Sequence, residues 1–195
     1  MHKPFSQACE NNKGPILVVI KEYFAEVTQV LEVGSGTGQH AVYFAKHLPH
    51  VIWQTSDRVM NHSGIQQWID DYTGDNLLPP LSLDVTQPWP IDKTSAIFSA
   101  NTSHIMSWEM NKHFFAGIKD VLVKDGYFCL YGPFNFEGRF TSESNAQFDR
   151  HLKAQDPQMG IRDFEALDQL AGKAGLEFVA KHAMPANNFI LVWKK

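Results

Sequence analysis

Six residues in this chain have the types and spacing to hold a small polar ligand: Glu32, Gly34, Gly36, Gly38, Asp57 and Asp84. Val30, Leu31 and Val33 form an apolar run that leads through Glu32 into three alternating glycines, Gly34-Ser35-Gly36-Thr37-Gly38. Glycine has no Cβ and accepts positive φ, so such a turn lets backbone approach a ligand closely. A helix starting directly after it offers unpaired N–H groups and the positive end of its dipole. Val51 to Asp57 reads as a second strand ending in a carboxylate, and doubly wound folds use an acid there to grip ribose hydroxyls. Leu81-Ser82-Leu83-Asp84-Val85 reads as a third strand ending in an acid. The dinucleotide fingerprint needs its third glycine one place later, where Gln39 stands, so a nicotinamide dinucleotide is the weaker match.

These residues need elements to position them, and the hydrophobic pattern supplies a series. Gly14-Pro15 reads as a helix opening, since proline suits a first turn; Ile16, Ile20, Tyr23, Phe24 and Val27 then share one face. Beyond it come a strand near 29–33, a helix near 39–48, a strand near 51–55, a helix near 63–72 and a strand near 80–84. Residues 95–100 and 126–131 read as strands four and five, with a helix through Phe114, Phe115, Ile118, Val121 and Leu122 between them. Strict alternation argues for parallel strands with helices on both faces. The end breaks the pattern. A helix after Asp163, closed by Gly175, precedes strands at 176–180 and 188–193, whose link is too short for a parallel crossover. The expected fold is α/β and doubly wound: a mostly parallel seven-stranded sheet with an antiparallel last strand.

Composition narrows the class. The chain has 195 residues, 44% hydrophobic and 19% charged, with a formal net charge of −4. One domain spanning 1–195 is expected, with 1–27 as an N-terminal segment and helix that covers the ligand site. No basic cluster marks an extended nucleic-acid surface, and no run approaches a membrane span. Cys9 and Cys129 are the only cysteines, far apart, so neither a disulfide framework nor a metal spacing is expected. Without a secretory pattern at the N-terminus, a cytoplasmic protein is expected.

An acid two places before a G-x-G-x-G turn resembles the cofactor loop of class I S-adenosylmethionine (SAM) methyltransferases. Further segments are similar to one methyltransferase-like family, the domain of unknown function 938. They include residues 6–17, Gly38 to Phe44, Ala100 to Ile105, Tyr131-Gly132-Pro133-Phe134, Thr141 to Asn145, Gly160 to Asp163 and Met184 to Asn188. The resemblance runs nearly end to end. It implies a Rossmann-like fold and SAM or S-adenosylhomocysteine as ligand. It implies a cofactor set of Glu32, Gly34, Ser35, Gly36, Gly38, Asp57, Asp84, Val85 and Asn101, with Asp84 beside the adenine amine and Asn101 near the methionine part. It brings no established acceptor.

Methyl transfer is an in-line displacement that depends mainly on alignment, and a base is needed only when the acceptor must lose a proton. His104, just after strand four, is the candidate base, against a plainer role packed at a helix start. Tyr131, ending strand five, is a second catalytic candidate, against a plainer role in the core. The polar stretch Glu137 to Asn145 reads as a lid or acceptor loop, with Glu143 and Asn145 as its candidates. Glu10 to Lys13 reads as a segment before the first helix, capped by Asn12 or Gly14. Asp57 is expected at a loop mouth, with little part in stability. The place after strand four reads Asn101-Thr102-Ser103-His104, not asparagine-proline-proline-aromatic, which disfavours methylation of base amino groups. Three functions follow from these residues: a SAM-dependent methyltransferase acting on a small molecule, a SAM-binding module without transfer, and, least supported, an NAD-dependent oxidoreductase.

Overall fold

A computed structural model describes residues 3–195. The chain runs α1 (Gln7–Tyr23), β1 (Gln29–Val33), α2 (Gln39–His47), β2 (Ile52–Asp57), α3 (Val59–Asp70), β3 (Leu77–Ser82) and β4 (Thr94–Ala100). It continues through α4 (Trp108–Val121), β5 (Leu122–Gly132), β6 (Phe134–Asn135), α5 (Glu143–Gln155), β7 (Arg162–Asp163), α6 (Phe164–Lys173), β8 (Glu177–Met184) and β9 (Asn188–Lys194). Seven strands form one sheet in the order β3-β2-β1-β4-β5-β9-β8. The β1–β2, β1–β4, β2–β3 and β4–β5 pairs are parallel, while β9 runs antiparallel to both β5 and β8. The expected mixed sheet is therefore present, with the reversed last strand inserted beside β5.

Period-two alternation explains why this sheet is covered on both faces. Leu31, Val33, Ile97, Phe128 and Leu130 point into one core with Phe114, Phe115 and Ile118 of α4 and Leu167 and Leu170 of α6. Their neighbours Val30, Ala96, Phe98, Cys129 and Tyr131 point into the other, with Ile16 and Ile20 of α1 and Ala41 and Phe44 of α2. The strand order reverses between β1 and β4, which opens a crevice beyond their carboxyl ends.

Some boundaries differ from the sequence reading, each for a physical reason. α1 begins eight residues before Pro15, capped by the Ser6 side chain, so residues 10–13 lie within it and neither Asn12 nor Gly14 is the cap. Tertiary bonds to the first turns of α1 hold them helical despite the proline. β3 ends at Ser82, and its Pro79-Pro80 pair is tolerated because it is an edge strand. Gln54 and Thr55 side chains donate to the Pro79 and Leu78 carbonyls across the bulge there. The stretch expected as a lid is short, because α5 starts at Glu143 under a Ser142 cap. β6 and β7 form a separate two-stranded pair. Among the described residues, no helix is long and apolar enough to cross a membrane.

Candidate functional site

The glycine turn is laced to β2 before any ligand is considered. Gly34 and Ser35 N–H groups both donate to the Ser56 carbonyl at 3.0 Å. The Ser35 hydroxyl donates to Glu32 Oε2 at 2.8 Å and accepts from the Ser56 N–H at 3.1 Å. Glu32 is 1% exposed and also accepts from Trp53 Nε1 at 3.2 Å. Burial pushes its pKa up to about 7, against the hydrogen bonds from Ser35 and Trp53.

The three glycines do different work. A Cβ on Gly34 would lie 2.5 Å from Thr102 Cγ2, so this residue lets β1 and the turn after β4 close together. Gly38, at φ +89°, would bring a Cβ to 3.1 Å from the Ile65 backbone, so it seats α2 on α3. Gly36, at φ +58°, would meet no atom within 4 Å. Its missing side chain faces open space. The Gly36 N–H is held at 2.8 Å by Asp57 Oδ2, while Asp57 Oδ1 accepts from the Arg58 N–H at 2.7 Å and Asn61 Nδ2 at 2.8 Å.

That open space is part of a cavity of about 510 Å³ beyond the carboxyl ends of β1, β2 and β4. This size is in the range of small-molecule sites, roughly 300–1,000 Å³. Gly34, Ser35, Gly36, Asp57, Asp84, Val85 and Asn101 line it, so seven of the nine residues in the expected cofactor set converge there. Glu32 and Gly38 do not: one is buried beneath the turn and the other packs behind it. Asp84 Oδ1 accepts from the Thr86 N–H at 2.9 Å and hydroxyl at 2.7 Å, which lowers its pKa. Asn101 holds a left-handed backbone (φ +59°) and donates its N–H to the Tyr131 carbonyl at 2.9 Å.

Neither catalytic candidate reaches the cavity wall. His104 is 6% exposed, edge-on to Phe148 at 5.2 Å, and its pKa falls to about 4 through burial and the nearby Arg162 charge. Tyr131 is 3% exposed and belongs to the core on the α1 side, where burial raises its pKa. The acceptor-loop candidates are placed elsewhere too. Glu143 pairs with Arg150 at 3.1 Å, and Asn145 ties Thr141 to the Asn187 carbonyl.

Other residues complete the wall. Ser6 and Cys9 come from the N-terminal segment and α1, and His40 from α2. Ile105, Met106 and Met110 from the β4–α4 region and Met159 from the α5–β7 connection make an apolar side. That connection is drawn in because the Gly160 N–H donates to the His104 carbonyl at 2.9 Å and Arg162 donates to the Ser103 and Met106 carbonyls. Arg58 directly follows Asp57 and Asn61 lies four positions on, so both were within reach of sequence reasoning; Asp156 and Met159 arrive only through folding. Asp57, Asp84 and Asp156 set three carboxylates against the single Arg58 guanidinium, a balance that suits a cationic ligand. Among the described residues, no group of three or more His, Cys, Asp or Glu is placed to hold a metal ion.

Sheet order, reversed last strand and a glycine turn opening on the switch-point crevice define the class I methyltransferase fold. Within that class, residues 3–195 match the family described as "Protein of unknown function (DUF938)", and the chain belongs to it. Solved structures of similar fold include the apo form of the S-adenosylmethionine-dependent methyltransferase SibL, at TM-score 0.81 and 19% identity over 96% of this chain and 55% of that one. An O-methyltransferase family 2 protein from Planctomyces limnophilus DSM 3776, in complex with apigenin, matches at TM-score 0.84 and 14% identity over 96% and 58%. The O-methyltransferase NcsB1 from neocarzinostatin biosynthesis, with SAM and 2-hydroxy-5-methyl naphthoic acid, matches at 0.79 and 14% over 96% and 54%. This chain therefore spans just over half the length of each.

Proposed function

We propose that this protein is a methyltransferase that takes a methyl group from SAM and delivers it to a small-molecule acceptor. One observation carries the reading: the open space beside Gly36 joins the Asp57 and Asp84 carboxylates in a single cavity. The residues present fit the group. A Cβ-free cradle, carboxylates able to accept ribose hydroxyls, an apolar side formed by Val85, Met106 and Met110, and an acidic balance all suit an adenosine-bearing cation. SAM supplies an electrophilic methyl on a sulfonium. The chain's own part is to align, to exclude water and to hold the acceptor in line. Gly36 and Asp57 would hold the sugar, Asp84 and Val85 would border the base, and Asn101 would stand at the reacting end.

Titration calorimetry with SAM, S-adenosylhomocysteine and NAD tests the cofactor; binding of NAD alone would overturn the reading. Incubation of extract with isotopically labelled SAM, followed by mass spectrometry, tests transfer. A binding module without transfer is favoured by one observation, the absence of His104 and Tyr131 from the cavity wall. SAM binding with no labelled product would select that second reading.

A further inference from the structure

His40 is a buried histidine that the methyl-transfer chemistry above does not use. It sits in the first turn of α2, directly after the glycine turn, and lines the cavity while remaining 6% exposed. Its ring stacks on Phe44 at 5.3 Å and 11° and meets Phe98 edge-on at 6.3 Å, so it has little rotational freedom. Nε2 lies 2.6 Å from Asn12 Oδ1. An amide oxygen only accepts, so Nε2 must carry the proton. Nδ1 is then left with a bare lone pair. Among the described residues, the Asn12 contact is the one hydrogen bond of this side chain.

A fixed, unprotonated acceptor on a cavity wall calls for a ligand donor. The carboxylates Asp57 and Asp84 stand by β2 and after β3, whereas His40 stands with Cys9 and Ser6 where α1 meets α2. Resting on the cofactor reading above, we propose that His40 Nδ1 accepts a hydrogen bond from the α-ammonium of the ligand's amino-acid tail. His40 thereby makes the site selective for nucleosides that carry this amine. Burial lowers the imidazole pKa to about 4, helped by the charge of Lys13, so the ring stays neutral and does not repel a cation. Asn12 is a positioning residue that fixes the tautomer.

The test uses two probes on the full chain: S-adenosylhomocysteine, which has the amino-acid tail, and 5′-methylthioadenosine, which lacks it. His40→Phe keeps a ring on Phe44 while removing the lone pair. It is expected to bind S-adenosylhomocysteine about 10- to 100-fold more weakly, as for loss of a hydrogen bond to a charged group, with methylthioadenosine affinity unchanged. In the parent, nitrogen NMR reads the same contact without a mutation. The unprotonated Nδ1 resonance is expected to shift on adding S-adenosylhomocysteine and to stay in place with methylthioadenosine. Equal S-adenosylhomocysteine affinity in parent and His40→Phe, parallel loss of both probes, or a stationary Nδ1 resonance at saturation would overturn the proposal. Failure of the parent to bind either probe would instead bring down the cofactor reading itself.

Discussion

Asp57 shows how one carboxylate can serve both the ligand and the fold. It borders the cavity, but it already accepts from the Gly36 N–H, the Arg58 N–H and Asn61 Nδ2. The expectation that it has little part in stability therefore does not hold. Asp57→Ala is expected to weaken S-adenosylhomocysteine about 10- to 100-fold. It should also cost roughly 2 kcal/mol of stability, or about 4–8 °C in Tm for a chain of this size. Asp57→Asn keeps one acceptor oxygen and should fall between. Calorimetry and thermal unfolding on the same samples separate the two effects; unchanged affinity alongside a lower Tm would leave Asp57 a purely structural residue. Gly36→Val isolates the ligand side, since its side chain would enter open space. Its left-handed backbone should cost about 1–2 kcal/mol, leaving a folded protein by circular dichroism whose binding is lost. Parent-like affinity would remove this turn from the site.

At the scale of elements, the N-terminal helix is held to the glycine turn by Gln39, the residue that spoils the dinucleotide fingerprint. Gln39 Oε1 accepts from the Ser6 N–H at 2.5 Å, and Nε2 donates to the Ser6 carbonyl at 3.3 Å and to Glu10 Oε1 at 2.8 Å. Gln39→Ala is expected to speed amide exchange in the first turns of α1 and to weaken ligand binding several-fold, because Ser6 and Cys9 line the cavity. Undisturbed exchange there would show that the Asn12–His40 contact suffices. The same residues mark where the sequence was legible. Strands β1, β2, β4 and β5 and the turn between β1 and α2 rest on local alternation and local glycine chemistry, which sequence displays directly. The start of α1 does not, since Pro15 signals a first turn while bonds from α2 extend the helix past it. α5 was hidden because its buried face is sparse, with only Ala146 and Leu152 as buried apolar residues. The cavity's Asp156 and Met159 wall depends on Arg162 and Gly160 reaching the β4–α4 turn, pairings with no local signature.

For the whole molecule, buried ionisable groups set opposing slopes of stability against pH. His40 and His104 each fall from 6.5 to about 4 through burial, so the unfolded chain binds protons there that the native state refuses. Stability from them is present above pH 6.5 and is lost as pH falls toward 4, on the order of 3 kcal/mol for each histidine. Glu32 runs the other way. Its pKa rises from 4.5 to about 7, chiefly by burial, with the Asp57 charge adding to the effect, so the native state keeps a proton that the unfolded chain releases. Stability from Glu32 is present below pH 4.5 and is lost as pH rises through 7. Between these limits two histidine contributions oppose one glutamate, leaving a net rise of up to about 1.4 kcal/mol per pH unit. Glu32→Gln mimics the protonated acid, keeping an acceptor for Ser35 and Trp53 while removing the titration. Urea unfolding from pH 4.5 to 6.5 should then show a slope roughly double that of the parent. A slope equal to the parent's would mean that Glu32 is ionised in the folded protein, with Ser35 and Trp53 outweighing its burial.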